Sequence, residues 1–268
     1  MSDNHKVGGI AGLILALQLL TTIPIRRQVP WTKQTASVSV ALYPLIGLIV
    51  GSIAMSASIL MIEWMLLPTA VSSFLLLLLI VSLTGGLHLD GWMDVSDGYF
   101  SRQDQDRKLT IMKDSRVGAF AVISLFFLLA GKYIFIFQVL ESAEAYWFYF
   151  LIIPFFARWL MAGALMYGKP AREEGMAYSV QQCIIPRTKV SFHLWGIFIL
   201  IGIAIFFSKF IILALLLTMT SVILLLCSFT FFRKQFGGIT GDTLGALVEG
   251  GEAVLWIVAW LLLYYGMA

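Results

Sequence analysis

Residues 68–98 read PTAVSSFLLLLLIVSLTGGLHLDGWMDVSDG, an apolar run that stops at a glycine pair and passes at once into a stretch holding His88, Asp90, Asp94 and Asp97. The apolar part, near 68 to 86, matches the roughly 20 residues that cross a bilayer as a helix. Similar runs recur near 38 to 62, 117 to 139, 145 to 167, 191 to 207, 210 to 231 and 246 to 266. Over 268 residues, 60% are hydrophobic and only 12% are charged, which is the composition of a membrane protein. The expected fold is therefore all-α, a polytopic helical membrane protein with about seven transmembrane helices, six to eight at the limits.

The run from Val7 to Ile23 is short and ended by Pro24, so residues 1–25 read as a spanning, interfacial or re-entrant segment. Lys6 precedes it, but no A-x-A-like cleavage site follows, so it reads as mature protein. No internal repeat, linker or charged tail interrupts the rest, and residues 1–268 are expected to form one integral-membrane domain. Cys183 and Cys227 fit neither a zinc site nor a disulfide framework. A net charge of +3 gives no case for nucleic acid. The broad apolar surface leaves room for a homo-oligomer.

Basic residues fall in four loops: Arg26, Arg27 and Lys33; Arg102 to Arg116; Lys169 to Lys189; and Arg233 with Lys234. The turns between them hold mostly acids, Glu63, Glu141 and Glu144, with Lys209 alone on the other side of the count. By the positive-inside rule the four basic loops face the cytoplasm, and a site built from polar residues must lie there. Arg158 and Lys132 are exceptions within apolar runs, costly against lipid. Arg158 is expected to look into the bundle, and Lys132 to snorkel or to find an internal partner.

Asp90, Asp94 and Asp97 stand at i, i+4 and i+7 and share one face of a helix. Three carboxylates so close repel one another unless cations join them, and oxygen-only ligands suit magnesium or manganese. Such ions complete their shell with phosphate, so the chemistry suggested is phosphoryl transfer. His88 stands about 160° around the helix from Asp90 and could equally bond backbone. Lys113-Asp114-Ser115-Arg116 opens the next span: Asp114 suits a further metal ligand or an N-cap, and Lys113 and Arg116 suit phosphate. In the run Gly237-Gly238-Ile239-Thr240-Gly241-Asp242, small residues expose N–H groups that can cradle an anion, and Asp242, Glu249 and Glu252 add acids. Gly238, Thr240, Gly241 and Asp242 are therefore candidate substrate contacts, as are the basic Arg158 and Arg172.

These motifs together resemble the cobalamin synthase family, also called adenosylcobinamide-GDP ribazoletransferases. The resemblance rests on His88 to Gly98, Lys113 to Gly118, the Pro-Ala-Arg-Glu-Glu-Gly run at 170 to 175, the glycine-rich run at 237 to 242, and Tyr43 to Gly47. It extends from about residue 17 to the C-terminus. Where family members often carry Thr-Arg-Leu-Pro, this chain has Thr21-Thr22-Ile23-Pro24.

The resemblance implies a bacterial inner-membrane enzyme, dependent on magnesium, that joins adenosylcobinamide-GDP to α-ribazole or its 5′-phosphate. The products are adenosylcobalamin or its 5′-phosphate and GMP. In that reading Asp90, Asp94, Asp97 and Asp114 hold the metal, and an aspartate of the cluster or His88 takes the proton. Arg116, Arg158 and Arg172 steady phosphate oxygens. A CDP-alcohol phosphotransferase is the nearest rival, but its D-G-x-x-A-R pattern is absent after Asp90-Gly91. A cation transporter should carry its acids near mid-membrane, whereas these lie at one boundary.

Overall fold

The computed structural model describes residues 2–142 and 144–266, with side chains from Gly9 onward. Among the described residues the architecture is a bundle of helices with no named strand. In chain order these are α1 (Ser2–Leu20), α2 (Lys33–Ala41), α3 (Tyr43–Ile59), α4 (Thr69–Thr84), α5 (Leu87–Phe100) and α6 (Gln105–Ile111). The second half adds α7 (Ala119–Ser142), α8 (Tyr146–Tyr167), α9 (Gly175–Gln181), α10 (Pro186–Phe206), α11 (Ile211–Phe236) and α12 (Gly241–Tyr264).

Among the described residues, six helices are long and apolar enough to cross a membrane: α3 with the π turn that extends it to Trp64, then α7, α8, α10, α11 and α12. The seventh expected span behaves differently. At 16 residues α4 passes the same test only together with α5, and the two meet at 90°. Gly85 and Gly86 make this corner with φ of 65° and 72°, values that favour glycine because a side chain would crowd the carbonyl. The turn at Thr22 braces it, the Thr22 hydroxyl donating to the Ser82 carbonyl at 2.9 Å and its N–H to that of Leu83 at 2.8 Å. We read α5 as lying across the end of the bundle, outside the spans. The apolar stretch Gly9–Leu20 of α1 falls short of a span and packs against α2, with Ala16 and Leu20 buried.

The central helix is α8. Its face-to-face neighbour α3 approaches so closely that a Cβ on Gly47 would lie 2.4 Å from the Pro154 carbonyl oxygen, and one on Gly51 2.4 Å from that of Leu151. Two glycines four apart let backbones touch, the means by which helices associate where lipid offers no hydrophobic drive. Phe150, Phe155, Phe156 and Trp256 fill the interior, while Phe126, Phe127, Phe198 and Phe206 point outward as a lipid-facing surface should.

Lys132 finds the internal partner that its position called for. Its Nζ reaches Glu249 at 2.6 Å and Glu252 at 2.8 Å, and Glu252 also pairs with Arg158. All four side chains are buried, two charges of each sign, and they bind α7, α8 and α12 together.

The four basic loops gather at one end of the bundle. Gln105 donates to the Lys234 carbonyl at 2.8 Å, Lys108 to the Gln235 side chain at 2.7 Å, and Lys113 pairs with Glu174. The Ser37 and Thr188 hydroxyls meet across the same end. At the opposite end the Tyr146 hydroxyl donates to Glu63 at 3.0 Å.

Candidate active site

The corner at Gly85-Gly86 presents α5 along the polar end, and its spacing puts Asp90, Asp94 and Asp97 toward the same side, Asp90 exposed and the other two half-buried. A fourth carboxylate arrives from α12. A Cβ on Gly91 would lie 2.6 Å from the Asp242 carbonyl oxygen, and one on Gly245 3.0 Å from that of His88, so α5 and α12 touch backbone to backbone. This contact sets Asp242 beside the α5 acids. The effect registers at Asp94: burial, then Asp90, Asp242 and Asp97, push its carboxyl up to about 7.

Asp97 has a structural commitment as well. Its two carboxylate oxygens accept from the N–H groups of Gly118, at 2.7 Å, and Ala121, at 2.8 Å, holding the N-terminus of α7. Gly118 leaves room for it, since a Cβ there would fall 2.5 Å from those oxygens. Asp114 is gripped by Arg116 through Nε at 3.0 Å and a terminal nitrogen at 2.6 Å. These hydrogen bonds hold its carboxyl down at about 2. Glu174 is likewise held below the ordinary carboxylate range by Lys113.

Asp90, Asp94, Asp97, Lys113, Asp114 and Arg116 all line one polar cavity of about 340 Å³. Arg172 stands within electrostatic reach of Asp242 and Glu174, with its Nη1 buried and without a hydrogen-bond partner. Among the described residues no three His, Cys, Asp or Glu side chains are already drawn together around one cation position.

Three expected contributors sit elsewhere. Arg158 is buried in the bundle, paired with Glu252, and does not join the basic loops. His88 turns away from the polar cavity and lines a second, mostly apolar cavity of about 260 Å³, which Asp90, Gly241 and Asp242 also border. Gly238 serves a chain crossing: a Cβ there would lie 2.3 Å from the Lys169 carbonyl oxygen. The Ile239 N–H donates to that oxygen at 2.8 Å, and the Ala171 N–H to the Ile239 carbonyl at 3.0 Å. These groups of the expected anion cradle are thus already engaged. The Thr240 hydroxyl caps α12, accepting from Thr243 N–H at 3.2 Å.

Sequence reasoning missed Gly91 and Gly245 as the residues that join α5 to α12. A signal was present in Gly245 alone, a small residue in the second turn of the last span, where a close helix contact needs one.

A helical membrane bundle with carboxylates and basic side chains around a polar cavity at one end defines a membrane-embedded enzyme. The model of the cobalamin-5-phosphate synthase family matches residues 12–260 of the chain. The chain is 40% identical to the adenosylcobinamide-GDP ribazoletransferase of Halalkalibacterium halodurans, over 94% of this chain and 96% of that one. It is 40% identical to that of Geobacillus sp. (strain WCH70), over 96% and 98%, and 32% identical to that of Clostridium tetani, over 95% and 98%. No solved structure gives a significant match. The chain belongs to the cobalamin-5-phosphate synthase family and is a transferase of cobalamin biosynthesis.

Proposed function

We propose that this chain joins adenosylcobinamide-GDP to α-ribazole, or to its 5′-phosphate, releasing GMP and giving adenosylcobalamin or its 5′-phosphate. The observation that carries the reading is the backbone contact at Gly91, which gathers Asp242 with Asp90 and Asp94 near Lys113, Arg116 and Arg172. Acids to hold a cation and bases to hold phosphate oxygens are what a diphosphate needs. The names of the relatives supply the substrates.

The donor set suits magnesium, with manganese as a substitute: all the ligating atoms are carboxylate oxygens, and the raised Asp94 carboxyl marks a cluster short of positive charge. Asp90, Asp94, Asp97 and Asp114 would hold the ion. When bound, it would neutralise the charge that builds on the diphosphate oxygens. Lys113, Arg116 and Arg172 orient the diphosphate.

The ribazole hydroxyl oxygen bonds to the cobinamide-side phosphorus as the bridging P–O bond breaks, and GMP leaves with the bridging oxygen. The hydroxyl proton passes to a basic group of the site. The gathering of basic loops at one end supports a cytoplasmic site on the bacterial inner membrane.

The test uses the purified full-length chain in lipid nanodiscs with both substrates and magnesium. GMP and the corrinoid product should appear in equal amounts, stop on chelation and resume with magnesium or manganese. Recovery of unchanged adenosylcobinamide-GDP from the active-site-intact protein would overturn the reading.

A further inference from the structure

The mostly apolar cavity behind Asp90 is built from six helices. Leu19 and Leu20 come from α1, Tyr43 from α3, Met161 and Leu165 from α8, and Val180 from α9, while α5 and α12 close it. Asp90 lines this cavity and the polar one alike, so the two adjoin at its side chain.

One group in its wall lacks a partner. His88 is 1% exposed and its Nε2 makes no hydrogen bond within the protein. His88 thus stands between the cavity and the buried charges, within electrostatic reach of Arg158, Glu252 and Lys132. An apolar pocket with one or two placed polar groups is the usual form of a site for a flat organic ring.

Size and polarity narrow the occupant. About 260 Å³ admits a bicyclic base and excludes a corrinoid macrocycle. Guanine would bring a carbonyl, a ring N–H and an amine, whereas most of this wall is apolar, with Tyr43, His88, Asp90 and Asp242 its polar side chains.

We infer that this cavity, walled in part by His88, seats the apolar aromatic base of the acceptor nucleoside, so that the ribose projects past Asp90 toward the diphosphate. The inference rests on the proposed reaction. Its binding test does not need turnover.

Equilibrium dialysis of α-ribazole alone against the full-length chain in nanodiscs reads occupancy directly. Ala177→Leu, which adds bulk to the cavity wall on α9, should weaken this binding and raise the KM for ribazole by about tenfold, the scale set by a few methylenes in a fitted pocket. The KM for adenosylcobinamide-GDP should stay within about twofold of wild type. Leu165→Ala, which enlarges the cavity instead, should shift preference toward a bulkier benzimidazole riboside. Ribazole binding unchanged in both Ala177→Leu and Leu165→Ala overturns the inference, as does a rise in donor KM alone, which would put guanine in the cavity. If the wild type binds ribazole but releases no GMP with both substrates, the reaction fails and the cavity assignment stands as a nucleoside site.

Discussion

Helix α12 carries acids at two depths, and their surroundings differ. Glu249 and Glu252, about two to three turns into the helix, are buried and matched by Lys132 and Arg158. Asp242, in its first turn, meets Asp90 and Asp94 at the rim, and among the described residues none of these three aspartates makes an ion pair. The deep group is balanced and closed, so it holds helices together. The rim group has Arg172 within electrostatic reach of Asp242 but no ion pair among the described residues, and the proposed cation would balance the rest.

Removing charge should therefore act on opposite properties in the two places. Asp94→Asn should lower GMP release by about a thousandfold, as loss of a key electrostatic group does, while thermal stability holds or rises. Wild-type turnover by that variant with excess magnesium would dissolve the distinction. Glu252→Gln should do the reverse. It leaves Arg158 buried without its partner and should cost about 3–5 kcal/mol in unfolding experiments, with activity per folded molecule retained.

Gly91→Ala tests the joint between the two regions. The added methyl forces α5 from α12 and should reduce kcat by about a hundredfold without changing the stability conferred by the deep ion pairs.

The next effect is one of pH. Because the folded-state Asp94 pKa lies near 7, above its usual value, the metal-free fold binds a proton that the unfolded chain has released, and stability should fall as pH rises from about 4 to 7. Magnesium should raise the melting temperature at pH 8 and much less at pH 5, where protons compete, and Asp94→Asn should flatten both responses. The smallest effect belongs to Glu174→Gln, which breaks an exposed pair with Lys113 and should shift stability by less than about 1 kcal/mol.

Much of this was legible in the sequence because it depends on composition and local spacing. Long apolar runs marked the helices, the i, i+4, i+7 aspartates marked the acidic face, and basic loops marked the end where they gather. What was not legible depends on distant contacts. Arg158 looked like a phosphate ligand until Glu252, 94 residues away in the chain, was seen to claim it. Gly238 looked like part of an anion cradle because a glycine needed where two chain segments cross and one needed for a ligand read alike. The run near 68 to 86 looked like any other span, and only the positive φ values at its end reveal the corner.

That corner has a consequence for the bilayer. A helix of 16 residues rises about 24 Å, against a hydrocarbon thickness of about 30 Å. By itself α4 falls short of that depth, while neighbours such as α7 with 24 residues are long enough for it. The acids that follow the corner therefore begin where a helix too short for the full hydrocarbon depth ends. An amphiphilic substrate would meet those charged groups there while its apolar portion stays beside the longer helices.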